Sequence, residues 1–370
     1  MNYRFNDNIR FSKIKNEYIL GDIFKGSFVF LTEKGIELVE AIKNNENVPE
    51  YDFLSNDQKE LIDFFNKNEY LYKARVIEKT TRVLRTVYLH VNNVCNFSCK
   101  GCYSGKLRCN EASFIDNQSA YKIAEELVLE GCEKVIISGG EPMLSENLYS
   151  IVKIIKTAGI SNLSIISNGS YNIEDYIKLY DYVDEISFSL DGFDEISSII
   201  RPKNTVQKIE KLVFGLKEKR KNVSLIFTIH HQNVSSIDSF IGFINELQVP
   251  FNFSAYLSFE NNDSFKLTNQ DFVYMNEWIK RYSMHQYLEQ SNISYRETCG
   301  LAKHICSIDQ ELNLYPCHMM MSEKYLLGNL KDTALHEILT QEKTVKMQND
   351  FLFQNKPCKT CDVKYFCGGG

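Results

Sequence analysis

Three cysteines stand close together in Cys95-Asn-Phe-Ser-Cys99-Lys-Gly-Cys102, a C-x3-C-x2-C spacing. Thiolates on one short loop can converge on the irons of a single cubane cluster, which ordinarily takes four cysteines. Three ligands leave one iron open, and an open position is what separates a site that binds a small molecule from a structural one. Zinc is the alternative occupant of such a loop. The eleven cysteines leave residues 1–94 and 133–298 without a thiol, and six gather in a tail at Cys299, Cys306, Cys317, Cys358, Cys361 and Cys367, so two separate thiol clusters are implied. Cys132 reads as a small buried hydrophobe, and Cys109 as an unassigned thiol of a polar loop. A second group with chemical meaning is Ser138-Gly139-Gly140-Glu141-Pro142. Its small residues let backbone approach a ligand and Glu141 offers an acceptor to an ammonium, although a Gly-Gly pair by itself is also simply a turn.

These groups need elements that bring them to one place. From Tyr88 onward, short apolar strands alternate with amphipathic helical stretches, the pattern of parallel βα units. Six strands are expected, at Tyr88–Val91, Lys134–Ser138, Leu163–Ser167, Glu185–Leu190, Ser224–His230 and Phe251–Leu257, with helices such as Asn117–Leu129 and Leu148–Thr157 outside them. Six units make an open or partial barrel, whose strand C-termini should hold the site. Both motifs follow strands, as do Ser167-Asn168-Gly169 and Ser187-Phe-Ser189-Leu-Asp191-Gly192. Arg201 follows on a loop, where a forked cation suits a carboxylate or simply faces water. His230 and His231 end the fifth strand, and a hydrogen-bonded structural role is the expectation for them.

Ahead of the barrel, residues 1–80 read as an α+β unit: a hairpin through Tyr18–Leu20 and Phe28–Leu31 with its turn at Gly21–Gly26, a helix started by Thr32, a second helix with a Ser55/Gln58 capping box, and a closing strand at Leu71–Ile77. A polar linker follows at 78–86. Thr268 and Asp271 cap a connecting helix running to Gln290, with Phe272, Met275, Trp278, Ile279 and Tyr282 as its core-facing stripe, and the tail after Thr298 shows little periodicity. The 370 residues are 44% hydrophobic and 24% charged, which excludes disorder and suffices for a core and a second module. A formal net charge of -6 argues against tracking nucleic-acid phosphates. No apolar run approaches the roughly 20 residues of a membrane span, and the N-terminus lacks a signal peptide, so a reducing cytoplasm is expected, with neither membrane nor nucleic acid as partner.

With the Cys95/Cys99/Cys102 loop after the first strand and Gly139-Gly140-Glu141-Pro142 after the second, the chain resembles the radical S-adenosylmethionine (SAM) superfamily over about residues 86–260. The resemblance implies that Cys95, Cys99 and Cys102 hold a 4Fe-4S cluster whose open iron chelates the amino and carboxylate groups of SAM. Electron transfer from the cluster then releases a 5'-deoxyadenosyl radical, with a cellular reductant such as flavodoxin or ferredoxin as the source. It also implies SAM contacts from Tyr103, Gly139, Gly140, Glu141, Pro142, Ser167, Asn168, Ser189, Asp191 and Arg201. One departure is Gly101, where an aromatic residue usually precedes the third cysteine; Tyr103 follows it instead.

The thiol tail resembles the SPASM extension of radical SAM peptide-modifying enzymes, most of all in the C-x2-C-x5-C run at Cys358, Cys361 and Cys367. The likeness implies two auxiliary 4Fe-4S clusters, one on Cys299, Cys306 and Cys317 and the other on Cys358, Cys361 and Cys367. Leu312 stands where the pattern has glycine, and the pattern expects a further cysteine just after Gly370, where a truncated chain would account for its absence. Placed before such a barrel and tail, residues 1–80 resemble a winged-helix-like module that takes the leader of a ribosomally made precursor peptide as an added strand, a structural cap being the plainer alternative. The expected fold is therefore α/β: a partial (βα)6 barrel at 86–260, a leader-binding α+β domain at 1–80, a connecting helix at 261–298 and a Cys-rich SPASM domain at 299–370. The function implied is a peptide maturase that forms a thioether or related crosslink. The rivals are an anaerobic sulfatase-maturing oxidase that makes formylglycine, and a non-enzymatic iron-sulfur or peptide-binding protein.

Overall fold

The computed structural model describes residues 3–365 apart from 24, 45, 47, 72–83, 100, 101, 103, 106–110, 193–199, 257–262, 282–294, 296–299 and 354–364. The chain divides into two compact units, one of residues 1–81, 284–300 and 346–370, the other of 82–283 and 301–345.

In the first unit, strands β1 (Ile9–Ile14), β2 (Glu17–Asp22) and β3 (Phe28–Leu31) form an antiparallel sheet in that order, followed by helices α1 (Glu33–Lys43) and α2 (Asn56–Lys67). The expected hairpin is β2 and β3; β1 is an added third strand. Its alternation is weak, and pairing with β2 from Ile9↔Asp22 to Ile14↔Glu17 is what extends it. Both helix starts follow from their caps. Thr32 Oγ1 accepts from Gly35 N, and Ser55 and Gln58 make a full capping box. Leu38, Val39, Ile42, Leu61, Ile62 and Phe65 pack with Leu20 and Leu31 of the sheet. The opposite face buries Ile19 and Ile23 under Tyr295, which stacks on Tyr365. Gly21 lies inside β2 rather than in the turn, and a Cβ there would sit 2.3 Å from the Tyr295 ring. The expected strand at Leu71–Ile77 is an isolated bridge, Phe5↔Leu71, and its later residues lie outside those described.

The second unit is built on six parallel strands, β4 (Thr86–His90), β5 (Lys134–Ser138), β6 (Asn162–Ser167), β7 (Glu185–Leu190), β8 (Val223–Ile229) and β9 (Phe251–Ala255), paired in sequence order. Between them run α3 (Asn117–Leu129), α4 (Leu148–Thr157), α5 (Ile173–Leu179), α6 (Thr205–Glu218) and α7 (Ile237–Leu247). Register puts Leu89, Ile137, Ile165 and Ile186 in one row, all fully buried. That face meets the helices, since Phe188 lies edge-on to Tyr176 of α5 and Phe227 stacks on Phe240 of α7. The alternate face is far more polar, carrying Ser164, Ser187, Ser189, Ser224, Thr228 and Ser254. Sheet alternation thus gives one oily face and one hydroxyl-rich face.

The tail is more ordered than its lack of periodicity suggests. Strands β10 (Ile305–Ile308), β11 (Asn313–Tyr315) and β12 (Gly328–Asn329) extend the sheet to nine strands, β10 lying parallel to β4. Leu312 adopts φ +69 in the turn between β10 and β11, a conformation glycine would enter without strain. Helices α8 (Asn269–Arg281), α9 (Leu335–Thr340) and α10 (Glu342–Phe353) complete the described elements. As expected, Thr268 and Asp271 cap α8, with Thr268 N donating to Asp271 Oδ2 at 2.7 Å and Asp271 N to Thr268 Oγ1 at 3.3 Å. The stretch from Tyr282 toward Gln290 lies outside the described residues, as do the side chains of Trp278 and Ile279. Among the described residues, no helix is long and apolar enough to cross a membrane.

Candidate functional site

The thiol loop leaves the C-terminal end of β4 and is fastened to the neighbouring strand before the first cysteine. Val91 N donates to Ser138 O at 3.0 Å and Glu141 N to Val94 O at 2.8 Å. Asn92 Nδ2 donates to Glu141 O and to Ser145 Oγ, both at 2.8 Å, while its Oδ1 accepts from Gly140 N at 3.1 Å. Asn93 Oδ1 accepts from Ser113 N at 2.9 Å and closes the far end of the loop. The Gly-Gly pair has a local cause here. A Cβ at Gly140 would lie 1.8 Å from Val94 O, and Gly139 has φ +146, so glycine is what lets the cysteine loop cross this turn.

Cys95, Cys99 and Cys102 are half-buried, each with a polar neighbour at its sulfur. Asn168 Nδ2 donates toward Cys95 Sγ at 3.8 Å, Arg201 Nη1 toward Cys99 Sγ at 3.9 Å, and Ser104 Oγ lies 3.2 Å from Cys102 Sγ. Burial pushes the Cys99 thiol up from its ordinary pKa, and the Arg201 guanidinium partly offsets it. Tyr103 lies outside the described residues, as does Cys109.

Glu141 is turned inward at the end of β5. Its side chain is buried, with Oε1 accepting from Ser167 Oγ at 2.8 Å and Met143 N at 3.2 Å, and Oε2 from Asn168 N at 2.8 Å. All three donors belong to the protein, so the carboxyl braces the ends of β5 and β6 together. Burial raises its pKa to about 7, against the opposing pull of the Asn168 and Ser167 donors. Ser167 in turn lies 2.8 Å from the Tyr176 hydroxyl, toward the helices. Pro142 is buried in the following turn.

At the ends of β7 and β8 the structure gathers a second polar group. Asp191 is 2% exposed; its Oδ2 takes Arg201 Nε, and its Oδ1 is buried without a hydrogen-bond partner among the described residues. Arg201, expected to meet a ligand carboxylate, gives its Nε to Asp191 and directs Nη1 at Cys99. Asn233, which no sequence motif marks, ties this corner together, donating to Asp191 O at 2.9 Å and Thr228 O at 2.8 Å and accepting from His230 N at 2.8 Å. His230 is fully buried, accepts from Gln232 N at Nδ1, and is driven by burial to a pKa of about 4, in keeping with a neutral structural histidine. His231 pairs with Asp271 at 2.9 Å. Ser189 is half-buried on the polar face, level with Ile226.

In the tail, Cys306 is fully buried on β10 in register with Val87, on the helix-facing side. Cys317 is half-buried, 3.7 Å from His318 Nδ1, and the His318 ring stacks at 3.9 Å on Tyr88, which projects from the opposite face of the sheet. Cys299, Cys358, Cys361 and Cys367 lie outside the described residues.

Among the described residues, no three His, Cys, Asp or Glu side chains close around a single ion. A cubane asks for something else: one thiolate for each of several irons, on a loop with donors aimed at sulfur. The Cys95–Cys102 loop fits that demand. It carries three thiols with amide, guanidinium and hydroxyl neighbours, and Asp191 Oδ1, without a partner among the described residues, can accept from a bound ligand beside it.

Comparison with known proteins agrees with this geometry. Residues 89–244 match the model of the radical SAM superfamily and residues 299–362 that of SPASM, the iron-sulfur cluster-binding domain. The GTP 3',8-cyclase of Psychromonas ingrahamii is 28% identical over 217 residues, and the cysteine-type anaerobic sulfatase-maturating enzyme of Clostridium perfringens 23% over 323 residues. These alignments cover 56% and 75% of this chain and 62% and 85% of the relatives, so the chain spans under two thirds of the cyclase. The fold superposes on Streptococcus suis SuiB bound to S-adenosylmethionine with a TM-score of 0.60 at 16% identity, covering 99% of this chain and 95% of that one. It also superposes on anSMEcpe with bound AdoMet at a TM-score of 0.65 and 16% identity, over 77% of this chain and 88% of the other. With a thiol loop at the mouth of a six-stranded parallel sheet and both domain models matched, the chain belongs to the radical SAM superfamily, its cofactors are S-adenosylmethionine and 4Fe-4S clusters, and its barrel is followed by a SPASM domain.

Proposed function

We propose that this radical SAM enzyme modifies a ribosomally made precursor peptide, joining a cysteine sulfur to carbon or closing a related crosslink. The observation that carries the reading is the extent of the likeness: SuiB bound to its precursor peptide SuiA is matched over 100% of this chain, whereas the anSMEcpe structures are matched over about 77%. The first unit supplies a rationale. Its sheet ends at β3 on one side and β1 on the other, and an extended leader added at such an edge gains main-chain hydrogen bonds without demanding a fixed sequence.

Bound together, the cluster and S-adenosylmethionine supply the one-electron chemistry that takes a hydrogen atom from carbon. The chain's own residues prepare the place for it. Cys95, Cys99 and Cys102 would hold the cluster, Gly139 and Gly140 keep the loop against β5, and Glu141 locks the ends of β5 and β6 through Ser167 and Asn168. Asp191 keeps one buried acceptor for a donor on the bound cofactor, and the more accessible hydroxyls of the polar face, Ser189, Thr228 and Ser254, would offer polar contacts to a peptide. Cys317 with Cys299, and the set Cys358, Cys361 and Cys367, would hold auxiliary clusters that accept the second electron; Cys306, expected among these ligands, is instead fully buried on the helix-facing side of β10, across the sheet from the Tyr88 and His318 stack beside Cys317.

The test is anaerobic: reconstituted protein, SAM, dithionite and a short peptide encoded beside the gene, read by peptide mass and 5'-deoxyadenosine. Loss of two hydrogens per crosslink, abolished by Cys99→Ala, is the expected result. The likeness to the Clostridium perfringens sulfatase-maturating enzyme over 75% of this chain favours a second reading, oxidation of a sulfatase cysteine or serine to formylglycine. Turnover of a sulfatase-motif peptide with none on leader-bearing peptides would establish that reading instead. No deoxyadenosine from a cluster-loaded sample would overturn both.

A further inference from the structure

The three loop thiols differ in what faces them. Cys99 faces a full positive charge: the Arg201 side chain is only 11% exposed, and its Nε is held by Asp191, leaving Nη1 directed at Cys99 Sγ at 3.9 Å. Cys95 faces a neutral amide. Asn168 is 7% exposed, its Oδ1 is taken by Ser170 N at 3.0 Å, and its Nδ2 is shared between Asn96 Oδ1 at 2.8 Å and Cys95 Sγ at 3.8 Å. Asn96 Nδ2 donates on to Ser170 Oγ at 2.9 Å, so the amide is fixed from both sides. These are oriented donors in a buried setting, where electrostatic effects are stronger than in water. Neither is needed to ligate metal.

We propose that Arg201 and Asn168 are positioning residues that set the reduction potential of the cluster held by Cys95, Cys99 and Cys102; the inference rests on the reading that this loop holds one. Reduction adds one electron to the cluster and so one negative charge shared with its thiolates. N–H donors and a cation beside the sulfurs stabilise that added charge and move the potential upward, making the cluster easier to reduce. Arg201, being charged, has the larger effect, and Asp191 acts by aiming it.

The experiment is a redox titration without SAM, electrons coming from dithionite. It follows the paramagnetic signal of the full-length reconstituted protein that is missing from the Cys99→Ala chain. Removing Arg201 alone would strand Asp191, so the charge is removed as a pair in Arg201→Gln/Asp191→Asn; Asn168→Asp replaces the amide donor with a carboxylate of the same shape. At a fixed potential the reduced-to-oxidised ratio is expected to fall about tenfold in the paired variant, about 59 mV for one electron, and by at least as much in Asn168→Asp, which removes a donor and adds a negative charge beside Cys95. Arg201→Lys, which keeps the charge, should shift less than the paired variant. Unchanged potentials at unchanged iron content would overturn the proposal while leaving the cluster intact. Loss of the signal from both variants would make the residues supports of the loop and overturn it as well. A wild-type protein with no such signal would instead overturn the reading that the loop holds a cluster.

Discussion

Glu141 shows how a motif residue can be legible by type and unreadable by role. Its place after β5 suggests an acceptor for a ligand's ammonium, and the structure gives it a bracing part as well, with Ser167 Oγ, Asn168 N and Met143 N donating to it. A one-dimensional motif gives the order of residues but not which way a side chain turns, and here the buried donors on β6 decide. The consequence is measurable. Its folded pKa of about 7 lies above the ordinary carboxyl value of 4.5, so between those pH values the folded protein keeps a proton that the unfolded chain has released. Stability should therefore fall as pH rises across that window, by up to about 3 kcal/mol, and level off above it. Urea denaturation at pH 5 and pH 8 should show this slope in the wild type and a flatter one in Glu141→Gln. Parallel profiles would mean that Glu141 is ionised throughout.

Among the elements, the well-patterned ones are where residue types place them. The six barrel strands, α3 and α4 follow hydrophobic spacing, and α1, α2 and α8 begin at Thr32, Ser55 and Thr268 because a side-chain oxygen there satisfies an early helix N–H. Ser55→Ala should cost about 1 kcal/mol in thermal or chemical denaturation, since Gln58 N loses its Ser55 Oγ acceptor while the backbone N–H at residue 55 can still donate to Gln58 Oε1. An unchanged midpoint would show that α2 is held by its packing alone. The elements without a sequence signal, β1 and β10–β12, are short and depend on a partner. β10 has four residues whose alternation means little until Ile305–Ile308 lie against Thr86–Leu89. Leu312 follows the same logic: its φ of +69 is tolerable because the side chain is buried and Leu330 N donates to its carbonyl at 2.9 Å.

At the scale of the whole molecule, the sheet joins what the linear order separates. Ile308 of the tail is fully buried in the row of Leu89, so residues 301–345 share one core with the barrel. Ile308→Ala should lower stability by about 2–5 kcal/mol and speed hydrogen exchange at β4 amides as well as at β10. Protection lost at β10 alone would show that the tail opens separately. By itself the sequence determined the chemistry on offer: the C-x3-C-x2-C loop, the Gly-Gly-Glu-Pro turn, the βα order that puts both at strand ends, and the helix caps, because each depends on spacing and local hydrogen bonding. Only the tertiary structure decided that Arg201 turns to Asp191 and Cys99, that Glu141 turns inward, that Tyr295 closes a sheet whose strands lie hundreds of residues earlier, and that β10 extends the barrel sheet. Those contacts, most of them between residues far apart in the chain, are chosen by competition among buried partners, and no local pattern records them.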